Sequence, residues 1–276
     1  MKEVIFLNSK FMPANKAKAS VLSPGFLYGW GVFETMRCFN GKIVYFGEHL
    51  KRFQNDCKSI GLELPYSISK VKLILNKALE KNNFSDNYIK LACWKSEKSI
   101  DFLVLIKKYQ PLPESVYKNG FSVLNSSFLQ SENSLLTRIK STSRLLYELA
   151  YQEAKDKGFD EAILLNRRGE ICEATRGNLF FIKKGKLFTP SLKCGCLLGI
   201  TRKVVFDLAK KANIDLIEGR FTLEDLHQAD EVFLTNSLLG IMPVSSVNKK
   251  KTMPISSCGL TSYFMGKYNL LLNNGN

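Results

Sequence analysis

Long apolar runs are missing from this sequence, and its first residues show no charged segment followed by an apolar stretch. A membrane-spanning helix needs about twenty consecutive apolar residues, so the first absence excludes a helical membrane protein. The second absence gives no sign of a secretory signal. We therefore expect a cytoplasmic protein with no membrane partner.

Histidines and paired cysteines are also scarce. The chain has 2 histidines and 7 cysteines in 276 residues, and only Cys194 and Cys196 form a close cysteine pair. No second pair follows them and neither histidine is nearby, so the sequence predicts no metal site. Scattered thiols in odd number are typical of a protein kept in a reducing compartment.

Acidic residues are fewer than basic ones, which leaves a net charge of +15. Such a charge is typical of nucleic-acid-binding proteins, but the lysines are spread along the chain and no zinc-finger spacing or aromatic RNA-binding motif accompanies them. We expect a lysine-rich surface that attracts an anionic small molecule, and no nucleic-acid partner. A basic nucleic-acid-binding protein remains the alternative that net charge supports.

The chain contains two successive groups of helix and strand patterns. In the first group we predict strands over 4–7, 32–39, 43–46, 88–93 and 102–106, and helices over 48–60 and 70–82. Asn40-Gly41 is typical of a hairpin turn between two of these strands. In the second group we predict strands over 121–124, 161–165, 179–182, 232–235 and 241–247, and helices over 145–157, 200–212 and from 260.

The two groups are separated by Gln110-Pro111-Leu112-Pro113-Glu114. Two prolines so close together cannot lie inside a helix or a central strand, so this segment is typical of a linker. The sequence predicts a mixed α/β (α+β) protein with an N-terminal domain over 1–113 and a C-terminal domain over 114–276.

Three features of the sequence could carry chemistry. Gly199 opens an amphipathic helix whose first N–H groups could bind an anion such as phosphate, although most Gly-X-Thr helix starts are only caps. Lys140 is followed by small hydroxyl residues that could enclose its amine, although a lysine ahead of a helix is most often solvated. Glu173 lies in ICEATRGNLFF, either in a solvated turn or as a buried carboxylate that needs a positive partner.

Together these features meet the requirements of one cofactor, pyridoxal phosphate. A lysine forms a Schiff base with its aldehyde, a helix start binds its phosphate, and a carboxylate keeps its ring nitrogen protonated so that the ring accepts electrons.

The chain resembles the class IV aminotransferase family of pyridoxal-phosphate enzymes, which includes branched-chain aminotransferases, D-amino acid aminotransferases and aminodeoxychorismate lyases. The resemblance covers nearly the whole chain and rests on GFLYGWGVFETMR, EHLKRF, IKSTSRLLYELAYQEAKDKGFDEAILL, EATRGNLFFIKKGKLFTP, LLGITRKVV and ADEVFLTNSLLGIMPV. It implies fold type IV, with a smaller N-terminal α/β domain and a larger C-terminal domain that contains a barrel-like sheet. It also implies a homodimer that acts on a small amino substrate.

The resemblance implies roles for particular residues. Those expected to bind the cofactor are Lys140 as the Schiff-base lysine, Glu173 at the pyridine nitrogen, and Arg52, Ile200, Thr201, Asn236 and Ser237 at the phosphate. Lys140 and Thr35 are expected to be catalytic, and Lys95 and Asn178 are expected to contact the substrate. The helical pattern disagrees about Arg52, because that residue lies off its apolar stripe and would ordinarily be solvated.

Within the family, the motifs FETMR and TNSLLGIMPV are most similar to aminodeoxychorismate lyases, which release pyruvate and form 4-aminobenzoate for folate synthesis. Leu145 stands where branched-chain aminotransferases usually have a tyrosine, which argues against them. The alternative is an aminotransferase for D-amino acids or branched-chain amino acids. Trp30 and Lys95 depart from the family pattern, since relatives often have an aspartate at the first position and an arginine-glycine stretch near the second.

Overall fold

The computed structural model describes residues 3–251 and 258–274, and the chain divides into two compact units. Within the described residues, unit 1 comprises 3–110 and 139–143, and unit 2 comprises 111–138, 144–251 and 258–274. In these ranges no helix is long and apolar enough to cross a membrane.

Unit 1 is built on a six-stranded antiparallel sheet with the strand order β2-β1-β6-β5-β3-β4. Its strands are β1 (Val4–Leu7), β2 (Lys10–Pro13), β3 (Gly31–Phe39), β4 (Lys42–Ile43), β5 (Asp86–Lys95) and β6 (Ile100–Lys108). Its helices are α1 (Pro24–Tyr28), α2 (Phe46–Ser59) and α3 (Ile68–Asn82).

Alternation along β3 decides which face of this sheet is buried. Val32, Met36 and Cys38 point to one face and join the core with residues of α2 and α3, such as Phe53 and Leu75. The hairpin between β3 and β4 turns at Asn40 and Gly41, both with positive φ, as their sequence predicts. The predicted strand over 43–46 is wrong beyond Ile43, because Tyr45 adopts a left-handed conformation and α2 begins at Phe46.

A distant segment of the chain completes unit 1. Ile139–Ser143 belongs to this unit, and Ser141 forms an antiparallel bridge with Val32 at the edge of β3. Ile139 is buried in the same core as Val32.

Unit 2 contains a nine-stranded mixed sheet with the strand order β12-β11-β10-β13-β14-β7-β8-β9, and β15 pairs with β14. Its strands are β7 (Phe121–Gln130), β8 (Glu161–Asn166), β9 (Ile171–Ala174), β10 (Asn178–Lys183), β11 (Lys186–Pro190), β12 (Leu216–Gly219), β13 (Glu231–Asn236), β14 (Gly240–Val247) and β15 (Lys250–Lys251). The sheet is a curled half-barrel, which confirms the predicted barrel-like sheet.

The helices of unit 2 are α4 (Glu114–Asn119), α5 (Leu135–Arg138), α6 (Leu145–Asp156), α7 (Ile200–Lys211), α8 (Leu223–His227) and α9 (Leu260–Asn274). Helix α6 buries Tyr147, Ala150 and Ala154, whose spacing places them on one face of the helix. They pack against Leu124 of β7 and Leu164 of β8. This core packs α6 against β7 and β8, and β8 is followed in the chain by β9.

Candidate functional site

Lys140 lies at the edge of the sheet in unit 1. Its carbonyl accepts a hydrogen bond from the N–H of Phe33 at 2.9 Å, and Thr142 N–H donates to Gly31 at 2.9 Å. Ile139 packs in the core of unit 1, whereas the Lys140 side chain lies beside Phe33, whose side chain points away from that core. The Lys140 amine is 4.8 Å from the centre of the Phe33 ring, where the ring face attracts a cation.

Asp56, a residue of helix α2, binds the backbone of Lys140. Its Oδ2 accepts the backbone N–H of Lys140 at 2.9 Å. Burial raises the pKa of Asp56 from 3.8 to about 6, although the Lys140 N–H and the positive charge of Arg52 oppose the rise. The backbone of Lys140 is thus bound by both a strand and a helix.

The buried face of β3 also contains a carboxylate, Glu34, whose side chain is 0% exposed. Arg52 of α2 donates to it from Nε at 2.6 Å and from Nη2 at 2.9 Å, and His49 Nδ1 lies 2.7 Å from Oε2. Burial would raise the pKa of Glu34, but Arg52 and His49 outweigh burial and lower that pKa from 4.5 to about 2. Glu34 is therefore an ionised acceptor that orients the guanidinium group of Arg52.

Burial lowers the pKa of His49, so a neutral imidazole that donates from Nδ1 to Glu34 fits its surroundings. The expectation that Arg52 is solvated was wrong, because its side chain is 12% exposed and paired with Glu34. Arg52 lies beside the apolar stripe of α2, and the partner that draws it inward is on β3.

The opposite face of the same sheet holds Thr35 and a second lysine. Thr35 of β3 is the register partner of Lys90 in β5, and the Lys90 amine lies 4.6 Å from the centre of the Phe33 ring. Lys95 lies opposite Ile100, which packs against the core on the other face. The structure therefore places Lys90, and not the predicted Lys95, on the face of the sheet that carries the Lys140 amine.

In unit 2, Glu173 lies in β9 and is 4% exposed, so the solvated turn is excluded. Its carboxylate accepts four hydrogen bonds, from Tyr147 Oη at 3.1 Å, Gln130 Nε2 at 3.4 Å, Asn178 Nδ2 at 3.2 Å and the Leu197 N–H at 3.1 Å. All four donors are neutral. Burial raises the pKa of Glu173 despite these donors and the nearby charge of Arg144.

The N-terminus of α7 lies beside the same carboxylate. Asn178 Nδ2 also donates to the Leu197 carbonyl at 2.8 Å, and a Cβ on Gly199 would clash with Asn178 Oδ1. A larger residue at position 199 would therefore force Asn178 or the helix start to shift. Gly199 is the N-cap of α7 and no side chain caps this helix, while Thr201 in its first turn is buried. An uncapped helix start is the kind of group that binds anions, and phosphate binding at Ile200 and Thr201 stays a prediction.

The loop between β13 and β14 begins after Asn236, and the preceding residue, Thr235, is the register partner of Asn178. Asn236 Oδ1 accepts the N–H groups of Leu238 at 3.0 Å and Leu239 at 2.7 Å, and its Nδ2 donates to the Arg176 carbonyl at 3.1 Å. The Asn236 side chain therefore shapes this loop, and Ser237 is the next residue along it.

Several residues in these surroundings were not predicted. Glu34 had a signal in the sequence, because strand alternation places it on the same face as Val32 and Met36, where a charge needs a partner. His49 and Asp56 had a similar signal, since both fall on the apolar face of α2 with Phe53. Tyr147 and Gln130 had none, because a tyrosine and a glutamine at such positions are common in ordinary cores and strand ends.

The described residues fit pyridoxal phosphate. Glu173 is a buried carboxylate with neutral donors and a raised pKa, so a cationic ring nitrogen is the partner that would keep it ionised. The uncapped start of α7 suits a phosphate. Lys140 has a side-chain amine, and its backbone N–H is fixed by a hydrogen bond to Asp56. In the part of the chain that the structure describes, no cluster of three or more metal-binding side chains occurs.

The α/β fold and these residues are compatible with a pyridoxal-phosphate enzyme, and comparison with known proteins gives the family. The profile of the class IV aminotransferase family matches residues 31–247. The chain therefore belongs to the class IV aminotransferase family, whose members use pyridoxal phosphate.

The chain is 34% identical over 256 residues to a Methanocaldococcus jannaschii protein assigned as a branched-chain-amino-acid aminotransferase, with 88% of each chain covered. It is 30% identical to the D-alanine aminotransferase of Listeria innocua, covering 88% of this chain and 87% of that protein. It is also 30% identical to the aminodeoxychorismate lyase of Bacillus subtilis, covering 89% and 87%.

Among solved structures, the branched-chain amino acid aminotransferase of Escherichia coli superposes with a TM-score of 0.93 at 27% identity, covering 98% of this chain and 95% of that one. The branched-chain aminotransferase of the archaeon Thermoproteus uzoniensis, solved with norvaline, gives a TM-score of 0.91 at 26% identity, covering 100% and 96%. These likenesses confirm the predicted fold type IV.

Proposed function

We propose that this protein is a pyridoxal-phosphate-dependent aminotransferase that acts on branched-chain or similar aliphatic amino acids. The observation that carries the proposal is the environment of Glu173, a buried carboxylate with four neutral donors beside an uncapped helix start. A charge buried in this way is costly unless a cation completes the site. The protonated ring nitrogen of pyridoxal phosphate would be that cation.

When bound, pyridoxal phosphate supplies an electron-accepting ring that stabilises negative charge on the carbon next to the substrate nitrogen. Lys140 would hold the cofactor through Nζ, and the same nitrogen would move the proton of the substrate carbon. Glu173 would accept a hydrogen bond from the protonated ring nitrogen. Thr201, the N–H groups at the start of α7, Ser237 and Arg52 would hold the phosphate.

Residues of unit 1 support an aliphatic substrate. Phe33 lies beside the Lys140 amine, and its register partner in β5 is Ala92, so this side of the amine has apolar neighbours. Lys90 lies on the same ring and provides a positive charge for a substrate carboxylate. A small apolar side chain and one carboxylate are what a branched-chain amino acid presents. The names of the Methanocaldococcus and Escherichia relatives point to the same substrates.

The lyase that the sequence motifs favoured is the second candidate. Thr35 supports it, because this hydroxyl residue lies on the face of the sheet that carries Phe33 and Lys90 and could handle a second proton. The Bacillus lyase supports it at 30% identity. The relatives assigned as branched-chain aminotransferases reach 34%, so the aminotransferase is the better supported function.

The two candidates are distinguished by their need for a second substrate. We expect the purified protein with pyridoxal phosphate to convert leucine, isoleucine or valine only when a 2-oxo acid such as 2-oxoglutarate is added. D-alanine tests the D-amino acid alternative under the same conditions. Release of pyruvate and 4-aminobenzoate from aminodeoxychorismate, with no oxo acid and no transfer from amino acids, would instead establish the lyase. Thr35→Val should then impair the lyase reaction.

We also propose that the protein is a homodimer of the cytoplasm. Support for the dimer comes from residues 21–28, where a short segment exposes five large apolar side chains: Val21, Leu22, Phe26, Leu27 and Tyr28. Exposed apolar patches of this kind usually mark a protein interface. Sedimentation of the wild type should give a mass twice the 31.3 kDa of one chain. Phe26→Lys should lower the measured mass toward that of a single chain. A monomeric wild type would refute the dimer.

A further inference from the structure

Asp56 is a buried carboxylate that the proposed chemistry does not yet use. It lies on the inner face of α2, is 6% exposed, and accepts the backbone N–H of Lys140 at 2.9 Å through Oδ2. The Lys140 carbonyl accepts the N–H of Phe33 on the other side. The peptide groups that flank this lysine's Cα are therefore held by β3 and by Asp56.

A purely structural role would not require a charge at this position. A neutral side chain such as asparagine could accept the same N–H, and burying a carboxylate instead is unfavourable. The cost is visible in the pKa of Asp56, which burial raises to about 6. The acid nonetheless remains mostly ionised at neutral pH, so the site contains a negative charge beside the lysine.

The charged groups that face Asp56 come from three elements. Arg52 lies one turn earlier in α2, Glu34 lies in β3, and Lys140 lies in the segment at the sheet edge. Arg52 is bound by both oxygens of Glu34, so these two charges largely compensate each other. The charge of Asp56 also acts on Lys140, although more weakly than on Arg52.

On the basis of the proposed role of Lys140, we propose that Asp56 is a positioning residue for that lysine. Its hydrogen bond fixes the backbone from which the amine reaches its target, and its negative charge favours the cationic form of the lysine nitrogen. The first effect requires an acceptor at position 56, and the second requires an acid.

Two substitutions separate these effects. Asp56→Asn keeps an oxygen that can accept the Lys140 N–H but removes the charge, whereas Asp56→Ala removes both. The matched control is Glu48→Gln, which removes a carboxylate from the exposed side of the same helix. Each holoenzyme is titrated by absorbance between pH 5 and 10, and kcat and KM are measured at full cofactor occupancy.

We expect the absorbance midpoint of Asp56→Asn to fall by roughly half a unit to one unit, since the nearby negative charge is lost. Its kcat should fall most above pH 6, where wild-type Asp56 is ionised, and should approach the wild-type value below pH 6. Asp56→Ala should lower kcat by about tenfold to a hundredfold with little change in KM, because the lysine is misplaced. Glu48→Gln should match the wild type in all measurements.

The inference is overturned if fully loaded Asp56→Asn keeps the wild-type midpoint and the wild-type pH dependence of kcat. If Asp56→Ala does not fold, Asp56→Asn decides the question, because its shape is almost unchanged. Failure of the proposed function has a different signature. In that case the wild-type protein itself binds no pyridoxal phosphate, whatever residue stands at position 56.

Discussion

Glu34 and Glu173 are both buried carboxylates, yet their neighbours shift their pKa values in opposite directions. Arg52 and His49 overcome burial at Glu34 and lower its pKa to about 2, whereas Glu173 has neutral donors and its pKa is raised. The sequence pointed to Glu173 through its apolar flanks and its motif. Glu34 was missed, because the partner that makes its burial tolerable lies on another element. Charge pairing across elements is not visible in a local pattern.

Removing the carboxylate at Glu173 should separate cofactor binding from catalysis. We expect Glu173→Ala to retain a yellow holoenzyme, since the proposed covalent link to Lys140 does not require this carboxylate. Its kcat should fall by about a hundredfold or more, because the ring nitrogen loses the acid that keeps it protonated. Absorbance spectra and steady-state rates measure the two effects.

The control for this experiment is Glu224→Ala, which removes a carboxylate whose side chain is 70% exposed. It should leave both colour and rate unchanged. Wild-type activity in Glu173→Ala would show that this residue does not oppose the ring nitrogen.

Strands and helices with strong periodicity were predictable, whereas elements defined by tertiary contacts were not. β3 and α2 follow the spacing of their apolar residues, and α7 begins at Ile200 as its sequence predicts. The four residues of β9 are all buried, so no alternation marked this strand. Helix α1 was also missed, although Ser23 caps it and Pro24 opens it, which is a recognisable start signal.

The start of α7 provides a test at the level of an element. In Gly199→Ala the new Cβ would clash with Asn178 Oδ1, so either Asn178 or the helix start must move. Both changes disturb the donors beside Glu173 and the proposed phosphate site. We expect the Kd for pyridoxal phosphate to rise by about tenfold or more, measured by fluorescence titration.

Gly266→Ala is the matched control, because a Cβ there would meet nothing within 4 Å. This glycine lies inside α9, so alanine should stabilise the protein by about 0.5 to 1 kcal/mol and leave the Kd unchanged. Equal affinity in Gly199→Ala and wild type would contradict a phosphate site at α7.

At the scale of the whole molecule, the family resemblance predicted the fold type. The sequence did not predict that a segment of the second half of the chain belongs to unit 1. Residues 139–143 belong to unit 1, although β7 and α5 of unit 2 precede them. Their membership depends on hydrogen bonds to Gly31 and Phe33, which no local pattern encodes. The domain boundary after residue 113 remains a prediction, as do the dimer and the cytoplasmic location.

The free energy of unfolding should depend on pH at acidic values because of Glu34. Its pKa is lower in the folded protein, about 2, than its ordinary value of 4.5. The folded state therefore binds fewer protons, and the contribution of Glu34 is complete above pH 4.5 and is lost as the pH falls toward 2. We expect Glu34→Gln to lower the free energy of unfolding at pH 7 by about 3 kcal/mol, since Arg52 loses a buried partner.

Urea unfolding at several pH values measures this effect. The difference between wild type and Glu34→Gln should shrink between pH 4.5 and 2, while Glu114→Gln, in a pair exposed to solvent, should differ from wild type by less than about 1 kcal/mol throughout. A difference for Glu34→Gln that does not change with pH would mean that its charge does not stabilise the fold.

The most direct test is to identify the lysine to which the cofactor becomes attached. The protein is incubated with pyridoxal phosphate, reduced with borohydride, digested and analysed by mass spectrometry. We predict a single stable adduct on the peptide that contains Lys140, and none in Lys140→Ala. An adduct on another lysine, or no adduct in the wild type, would contradict the central claim that Lys140 is the cofactor-binding amine.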